Sequence, residues 1–156
     1  MDIKLVTPKA EDYRKVDKLL LQLHNKHASD YPTFYNELDN FNSQKEYNEF
    51  IKQECRIIIL AEQSEEVVGL LWAEVKEKFQ NRYMKARKEL WLEGIVVNDC
   101  YRNLGIGKLL MEELIDIGKK GDFDSIELMV WNKNNEAINL YKKYFEKRAT
   151  IMTYPL

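Results

Sequence analysis

A mixed sheet with helices on its faces, an α/β (α+β) architecture, is the fold class that the sequence predicts. Two observations support this prediction. Stretches of alternating or β-branched apolar residues are separated by stretches whose apolar residues recur at helical spacing. Three of the strand patterns also follow one another with no helix between them, which predicts a mostly antiparallel meander at the centre of the sheet. The predicted order of elements is β-α-α-β-β-β-α-β-α-β.

The N-terminal part of the chain predicts one strand followed by two helices. Ile3–Thr7 has a short strand pattern. A helix is predicted to begin at Thr7-Pro8, because a hydroxyl cap and a proline in the first turn are typical of helix starts. Apolar residues then recur at helical spacing as far as Leu23. An irregular, aromatic-rich connection leads to the second predicted helix, Ser43–Glu54.

The middle of the chain predicts a hairpin and a third strand. The patterns Arg56–Glu62 and Val67–Lys76 flank a polar turn, and Lys88–Val97 is the next strand. Gly94 lies inside that third strand. A glycine in a strand interior is typical of a bulge or of a close backbone approach, so we expect one of these at Gly94.

The C-terminal part predicts a helix, a strand, a second helix and a closing strand. An apolar stripe over Ile106–Ile117 predicts the first helix, which Gly118 and Gly121 are expected to end. The remaining three elements are a strand, a short helix capped by its first residue, and a closing strand: Ile126–Val130, Asn134–Tyr144 and Ala149–Tyr154.

Length and composition limit the function classes. The 156 residues fit a single domain over residues 1–156, with no evident linker or repeat. With 24 basic and 26 acidic residues, the chain lacks the positive charge of proteins that bind nucleic-acid backbones. Its apolar runs are too short to cross a bilayer. Since Cys55 and Cys100 are the only cysteines, we expect no disulfide framework and a cytoplasmic location.

A glycine loop between a strand and a helix is the most informative segment. Arg102-Asn-Leu-Gly105-Ile-Gly107-Lys108 follows the third meander strand and opens a helix. Glycines let backbone N–H groups approach an anion, the helix start adds the positive end of its dipole, and Arg102 and Lys108 add charge. The sequence therefore predicts a pyrophosphate site. The alternative is a plain tight turn with two solvated basic residues.

Two other phosphate-binding loops are excluded. A P-loop ending at Gly107-Lys108 needs glycine at position 102 and serine or threonine at position 109, where the chain has Arg102 and Leu109. A dinucleotide fingerprint beginning at Gly105 needs a small residue at position 110, where the chain has Leu110.

Two signatures in the expected order resemble those of the GNAT acetyltransferase superfamily. The first is R-x-x-G-x-G at Arg102–Gly107, and the second is N-x-x-A-x-x-x-Y at Asn134–Tyr141. The resemblance spans essentially the whole chain, and in motif it is nearest to spermidine/spermine N-acetyltransferase-like bacterial members. One departure follows Tyr141. Where the superfamily usually has a hydrophobic residue, glycine and phenylalanine, this chain reads Tyr144-Phe145-Glu146.

The resemblance implies a GNAT-type twisted sheet in which two neighbouring strands splay apart at the cofactor site. It also implies acetyl-CoA as the co-substrate and no metal. The pantetheine arm would run along the backbone of the third meander strand, and the pyrophosphate would meet main-chain N–H groups of the glycine loop. The residues that the resemblance assigns to the coenzyme are Ile95, Val96, Val97, Arg102, Asn103, Leu104, Gly105, Ile106, Gly107, Lys108, Asn134, Ala137 and Tyr141.

The mechanism that the resemblance implies is direct acetyl transfer to a neutral amine. Tyr141 is the candidate acid for the departing thiolate, and its alternative role is to pack an amphipathic helix. Glu93 is the candidate base, directly or through water, and its alternative is an outward-facing strand residue. A strand amide near Val97 is the candidate donor to the oxygen that gains charge.

The acceptor is expected to be a primary amine of a small molecule, with a polyamine or similar cationic amine favoured. Residues 29–66, which would form the acceptor wall, carry nine acidic and three basic residues. An acidic wall would attract a cation, and a solvated acidic surface is the alternative. Four aromatic residues of this region either line the pocket or pack the helices: Phe34, Tyr35, Phe41 and Tyr47.

Several weaker signals complete the picture. His24 and His27 are the only histidines, so a place near the acceptor pocket is a better interpretation than a zinc site. Cys100 is interpreted as a plain loop cysteine. A protein N-terminus or lysine as acceptor, and a non-catalytic acyl-CoA sensor, are the rival functions. A monomer and a homodimer both remain open.

Overall fold

Five strands form one open sheet in the computed structural model, which describes residues 2–156. The strands lie side by side in chain order. The first four are antiparallel and the fifth is parallel to the fourth, which confirms the predicted mixed, mostly antiparallel sheet. The strands are β1 Lys4–Val6, β2 Arg56–Gln63, β3 Glu66–Lys78, β4 Arg87–Val97 and β5 Ser125–Leu128. The α-helices are α1 Tyr13–Asp30, α2 Gln44–Lys52, α3 Ile106–Lys120 and α4 Asn135–Tyr141.

Helices cover both faces of the sheet. The central strands carry nearly continuous apolar runs because their side chains are buried against a helical layer on either side. On one face Leu71 packs in a cluster with Leu110 of α3. On the other face Leu70 packs in a cluster with Leu20 of α1 and Tyr47 of α2. None of the helices in residues 2–156 is both long enough and apolar enough to span a bilayer.

The hairpin turn and the start of α2 agree with the sequence. Ser64 and Glu65 form a two-residue turn between β2 and β3, and their φ angles of 49° and 67° suit a tight hairpin. At α2 the Ser43 hydroxyl accepts the Glu46 N–H, while the Glu46 carboxylate accepts the Ser43 N–H. This capping box satisfies two backbone donors and fixes the helix start at the predicted residue.

The first helix begins later than Thr7-Pro8, so that predicted boundary is wrong. The Lys9 N–H donates to the Asp12 carboxylate at 2.8 Å, and a short 3₁₀ turn over Ala10–Asp12 leads into α1. Lys9 itself is extended, with φ −120° and ψ 166°. The acid after the proline, and not the threonine before it, therefore supplies the side-chain acceptor at the helix start.

Two C-terminal elements differ in length from the prediction. Gly118 lies inside α3, where it packs against Ile126 of β5, and only Gly121 ends the helix. Helix α4 ends at Tyr141 because the following chain turns back, with the N–H groups of Tyr144 and Phe145 both donating to the Tyr141 carbonyl at 2.9 Å.

No closing strand forms at Ala149–Tyr154, and this prediction is wrong. The alternating apolar side chains that suggested it are exposed, Met152 by 90% and Tyr154 by 86%. Strand β5 has only four residues, so its outer edge offers little backbone for a further strand to pair with. The segment is instead joined to the sheet by an ion pair between Arg148 and Glu127.

Strand β4 carries a bulge beside the predicted glycine. Trp72 of β3 pairs with Gly94, but Ala73 pairs with Leu92, so Glu93 is the extra residue. Leu92 and Gly94 are buried, whereas Glu93 is exposed. A Cβ at position 94 would overlap the Trp72 indole, which lies across the glycine. The structure therefore confirms the bulge, the first of the two alternatives predicted at Gly94, and it also shows a side chain packed closely against the glycine.

Replacement of Gly94 by alanine should destabilise the fold, because the added methyl group has no space beside the Trp72 indole. We expect the free energy of unfolding to fall by about 2 kcal/mol, the cost of overpacking a core. Urea unfolding would measure this, with Gly107→Ala as the control because a Cβ there would make ordinary contacts at 3.5 Å or more. Wild-type stability of Gly94→Ala would mean that the indole does not need the glycine.

Candidate active site

Strand β4 extends beyond its partner β5 and leaves an open edge. The pairing of β4 with β5 ends at Leu92 and Leu128, whereas β4 continues to Val97. On its other side, the Asn98 N–H donates to the Val68 carbonyl at 2.9 Å. Because antiparallel pairing alternates, the polar backbone groups of Gly94 and Val96 face β3 like those of Asn98. The N–H and C=O groups of Ile95 and Val97 therefore face the gap.

Two of the predicted coenzyme residues behave differently at this edge. Val96 faces the core, where its side chain is only 6% exposed, so it is not brought into the gap. Val97 has its carbonyl already bonded by the Gln22 side chain of α1, which donates at 3.0 Å. This leaves the Val97 N–H and both backbone groups of Ile95 to meet an extended ligand. Gln22 carried no signal in the sequence.

The glycine loop has the backbone geometry of an anion cradle. Asn103 and Gly105 both have positive φ angles, 62° and 84°, and they alternate with residues of negative φ. Such alternation turns successive N–H groups toward one point. The first intrahelical bond of α3 runs from the Leu109 N–H to the Gly105 carbonyl, so the N–H groups that open the helix have no partner within it.

Gly107 lies in the first turn of α3, where the fold itself does not require glycine. A Cβ at this position would meet Leu140 at 3.5 Å and Val97 at 3.9 Å, which are ordinary contacts. The position therefore has space for a side chain on the protein side. A glycine here is explained by a ligand that approaches the backbone, and this supports the fit of a pyrophosphate to the loop.

The basic residues beside the loop are already paired with acids. Arg102 contacts Asp99 at 2.7 Å and Glu136 of α4 at 2.9 Å. Lys108 lies 3.6 Å from Glu112 and is well exposed. Because each of these cations has an acidic neighbour, the pull on an anion would come mainly from backbone N–H groups and from the start of α3.

Helix α4 brings the second signature to the same place. The Asn134 side chain accepts the Ala137 N–H at 3.3 Å, which confirms the predicted cap. Ala137 and Tyr141 follow on the face that lines the cavity described below. Burial raises the pKa of Tyr141 to about 12, so its phenol stays protonated at neutral pH.

A cavity of about 270 Å³ lies where the open edge of β4 meets α1 and α4. The predicted residues that line it are Glu93, Ile95, Asn134, Ala137 and Tyr141. The two candidate catalytic side chains thus share one cavity, whereas the glycine loop lies outside its lining. The bulge turns Glu93 outward, where its carboxylate lies 3.5 Å from the Lys76 ammonium. That ammonium also lies 4.6 Å from the centre of the Trp91 ring.

The acceptor side of this cavity is aromatic, so of the two interpretations of the acids in residues 29–66, a solvated surface agrees with the structure and an acidic wall does not. None of the nine acids in residues 29–66 lines the cavity, because they lie on the surface or pair elsewhere, as Asp30 does with Lys26. Of the four aromatic candidates, Tyr47 is in the core and Phe34 is 66% exposed. Apart from Tyr141, the Tyr, Phe and Trp residues that line the cavity are Tyr35, Phe41, Trp72, Trp91 and Trp131.

Both histidines lie on the cavity, as the sequence suggested for at least one of them. His24 Nε2 lies 2.7 Å from the Asn36 carbonyl. The Nδ1 atom of His27 is buried without a hydrogen-bond partner, and burial lowers the pKa of His27, so its ring is neutral at pH 7. Within residues 2–156 no group of three or more potential ligands is placed to hold a metal ion.

Comparison with known proteins identifies the family. The model of the Acetyltransferase (GNAT) family matches residues 20–146, which is more than half of the chain. A curated relative, the probable N-acetyltransferase san of Drosophila melanogaster, is 49% identical over 45 residues. That match covers 28% of this chain and 24% of the relative, so it spans about a quarter of the curated protein.

Solved structures agree in fold over the whole chain. A tetramutant of the BH1408 protein from Bacillus halodurans has a TM-score of 0.91 and 23% identity, with all of both chains covered. The aminoglycoside acetyltransferase HMB0005 from an uncultured soil metagenomic sample has a TM-score of 0.74 and 20% identity, covering 100% of this chain and 99% of that one. The acetyltransferase AAC(6')-Iy, solved with a CoA bisubstrate analogue, has a TM-score of 0.74 and 15% identity over 100% and 99% of the chains.

Substitution of Gly107 by glutamate should abolish coenzyme A binding, because the new side chain fills the cradle and puts a negative charge beside a pyrophosphate. Calorimetric titration with coenzyme A would measure the affinity. Gly107→Ala is the matched variant, because it adds a methyl group but no charge. We expect it to weaken coenzyme A binding less than Gly107→Glu does. Unchanged affinity of Gly107→Glu, with the fold intact by circular dichroism, would remove the loop from the coenzyme site.

Proposed function

Because this chain belongs to the acetyltransferase (GNAT) family, we propose that it transfers an acetyl group from acetyl-CoA directly to the primary amine of a small molecule. The expectation of an acetyl-CoA-dependent N-acetyltransferase is confirmed at the level of the family. One observation carries the finer proposal. The open edge of β4 leads from the glycine loop into a cavity that holds both a carboxylate and a buried phenol.

Acetyl-CoA would supply an activated acetyl thioester, and the chain's own backbone would position it. We assign the pantetheine arm and the acetyl group at its end to the free N–H and C=O groups of Ile95 and to the Val97 N–H. The pyrophosphate is assigned to the N–H groups of Arg102–Lys108, and the rest of the arm to Asn134 and Ala137. The unpartnered helix start and the open space at Gly107 support this assignment.

The proton transfers are assigned to the two side chains that share the cavity. An alkylammonium has a pKa of about 10.4 and must lose a proton before it can attack a carbonyl carbon. Glu93 can accept that proton through water, since its exposed carboxylate lines the same cavity. Tyr141 can donate its phenolic proton to the departing sulfur, and the Val97 N–H can donate to the oxygen that gains charge.

A bridge over the cavity favours a small acceptor over a protein chain. The Trp131 indole N–H donates to the Tyr35 hydroxyl at 3.1 Å, and the Lys133 N–H donates to the Tyr31 hydroxyl at 3.0 Å. These bonds join the α1–α2 connection to the β5–α4 connection across the acceptor side. A protein N-terminus or a lysine in a folded chain would need an open groove at this place.

Of the finer expectations from the sequence, only some stay part of the proposal. The sequence favoured a polyamine because of the acids in residues 29–66, but Glu37 and Asp39 are exposed and lie outside the cavity lining, so the proposal made here is limited to the primary amine of a small molecule. A cytoplasmic location rests on the free thiols of Cys55 and Cys100. No contact described within the chain favours a monomer over a homodimer, so the homodimer stays a prediction.

Thiol release from acetyl-CoA tests this function. The full chain would be assayed against polyamines, arylalkylamines, amino acids, aminoglycosides and peptides, with the acetylated product identified by mass. We expect acceptor-dependent release with small amines. Release with peptides alone would favour the protein N-acetyltransferase, and coenzyme binding without release from any acceptor would favour the sensor.

Replacement of Tyr141 by phenylalanine should lower turnover by about 10²-fold, the contribution of a general acid, and change the coenzyme Kd by less than about twofold. Steady-state kinetics and calorimetry measure the two effects. Tyr144→Phe, a hydroxyl loss just outside the cavity, should leave turnover unchanged. Because burial raises the pKa of Tyr141 to about 12, we expect no fall in wild-type kcat near pH ~10, where ordinary phenols ionise.

Turnover of Tyr141→Phe within about twofold of wild type would show that Tyr141 is not the acid. An alkaline loss of kcat near pH ~10 would also contradict the assignment to a buried phenol.

A further inference from the structure

Five aromatic rings from four separate parts of the chain form the acceptor side of the cavity, and we call them the aromatic wall: Tyr35, Phe41, Trp72, Trp91 and Trp131. Tyr35 and Phe41 come from the α1–α2 connection, and Trp131 follows β5. Trp72 and Trp91 come from the neighbouring strands β3 and β4. The wall is therefore built by the tertiary fold and not by one aromatic-rich helix.

Trp131 is held by three aromatic rings of the α1–α2 connection. Its ring lies 4.4 Å from the Tyr31 ring, 5.5 Å from the Phe34 ring and 5.9 Å from the Tyr35 ring, measured between centroids. The indole N–H is bonded to the Tyr35 hydroxyl, so the polar atom of the ring is already satisfied. These contacts hold the indole in one place and leave the ring, rather than its N–H, to meet a ligand.

The cavity offers little negative charge to match this aromatic surface. Glu93 is the one carboxylate among the lining residues, and it lies beside Lys76. His27 is neutral at pH 7 for the reason given above. A second or third ammonium group that entered the cavity would lose its hydration without gaining an acidic partner, which is costly. One ammonium group near Glu93 can share the carboxylate with Lys76, and any further ammonium group finds no acid in the lining.

Lys76 indicates how an ammonium group sits in this environment. Its Nζ lies 4.6 Å from the centre of the Trp91 ring and 3.5 Å from Glu93. This is a cation–π contact combined with an ion pair, and both partners line the cavity. An acceptor amine with one positive charge can use the same two groups.

The size of the cavity points in the same direction. Its volume of about 270 Å³ lies just below the usual range of ligand cavities, and part of its lining is assigned to the coenzyme. The space left for the acceptor suits a molecule with one ring better than an oligosaccharide. The wall gives such a ring flat apolar partners on several sides.

We propose that the acceptor is an amine with a single positive charge on a flat apolar body, such as an arylalkylamine, and that Trp131 is the residue that selects it. This inference rests on the proposed acetyl transfer and names the substrate class of that site. The aromatic wall takes the ring, and the single carboxylate receives the ammonium group. A polyamine, with several charges and no ring, fits the lining less well.

Three amines separate the contributions of ring and charge. 2-Phenylethylamine carries one charge and a ring, butylamine carries one charge and no ring, and spermidine carries several charges. We expect kcat/KM for 2-phenylethylamine to exceed both of the others by about tenfold, the factor that aromatic and cation–π contacts supply. A higher kcat/KM for spermidine or for an aminoglycoside would overturn the proposal.

Variants of the wall test the role of Trp131. Trp131→Leu keeps an apolar side chain but removes the ring, and it should lower kcat/KM for 2-phenylethylamine about tenfold while changing that for butylamine less than about twofold. Tyr35→Phe keeps the ring and removes only the hydrogen bond, so it should retain the preference. Phe79→Leu is the control, because Phe79 is 81% exposed on the β3–β4 connection. An equal loss for both amines in Trp131→Leu would overturn the role of Trp131.

Direct binding keeps this inference separate from the proposed function. If no amine gives thiol release, the acetyl transfer itself fails, and calorimetry on the coenzyme-A-bound full chain still ranks the amines. Tighter binding of 2-phenylethylamine than of spermidine would support the proposed acceptor class. The reverse order would overturn it, whatever the turnover.

Discussion

The open edge of β4 is the constraint on which the rest of the site depends. Backbone N–H and C=O groups need partners, and an unpaired strand edge next to a core leaves several of them without any. Strand β5 stops at Leu128 while β4 continues to Val97, so the two strands cannot complete their pairing. Gln22 of α1 bonds the Val97 carbonyl, and the remaining groups are available to an extended ligand. The gap therefore lies beside unpaired backbone groups of β4, and one of its ends opens toward the glycine loop.

The bulge at Glu93 determines the faces toward which the side chains of β4 point at this edge. One extra residue changes the alternation of β4, so that Leu92 packs in the cluster on the α3 face, while Gly94 lies opposite Trp72, which packs on the α1 and α2 face. Glu93, between them, turns out beside Lys76. A glycine is needed at position 94 because the Trp72 indole occupies the space that a side chain would fill. The same indole then becomes part of the cavity lining, next to Ile95. A local irregularity therefore serves packing, side-chain direction and the shape of the site together.

Local chemistry explains which features the sequence could predict. The helix start at Ser43 and the irregularity at Gly94 depend on neighbouring residues, and both were predicted where they occur. The closing strand at Ala149–Tyr154 has a strand pattern but lacks an edge long enough to pair with, which only the fold reveals. Tyr35 and Phe41 of the aromatic wall were candidates from the sequence, but its three tryptophans were missed for a similar reason. Trp131 and Tyr35 are 96 residues apart and meet only through tertiary structure. The acids that suggested an acidic wall lie on the surface.

The pairing of Arg102 has a consequence for how the loop responds to the solution. Its guanidinium is held by Asp99 and by Glu136, and Glu136 belongs to the same helix as Tyr141. Mobile ions screen attraction between exposed full charges, but they weaken short hydrogen bonds from fixed N–H groups much less. A pyrophosphate held mainly by such N–H groups should therefore keep its affinity over a wide range of ionic strength. Arg102 would therefore contribute little attraction for the coenzyme. Its main role would be to join the glycine loop to α4, the helix that carries Tyr141.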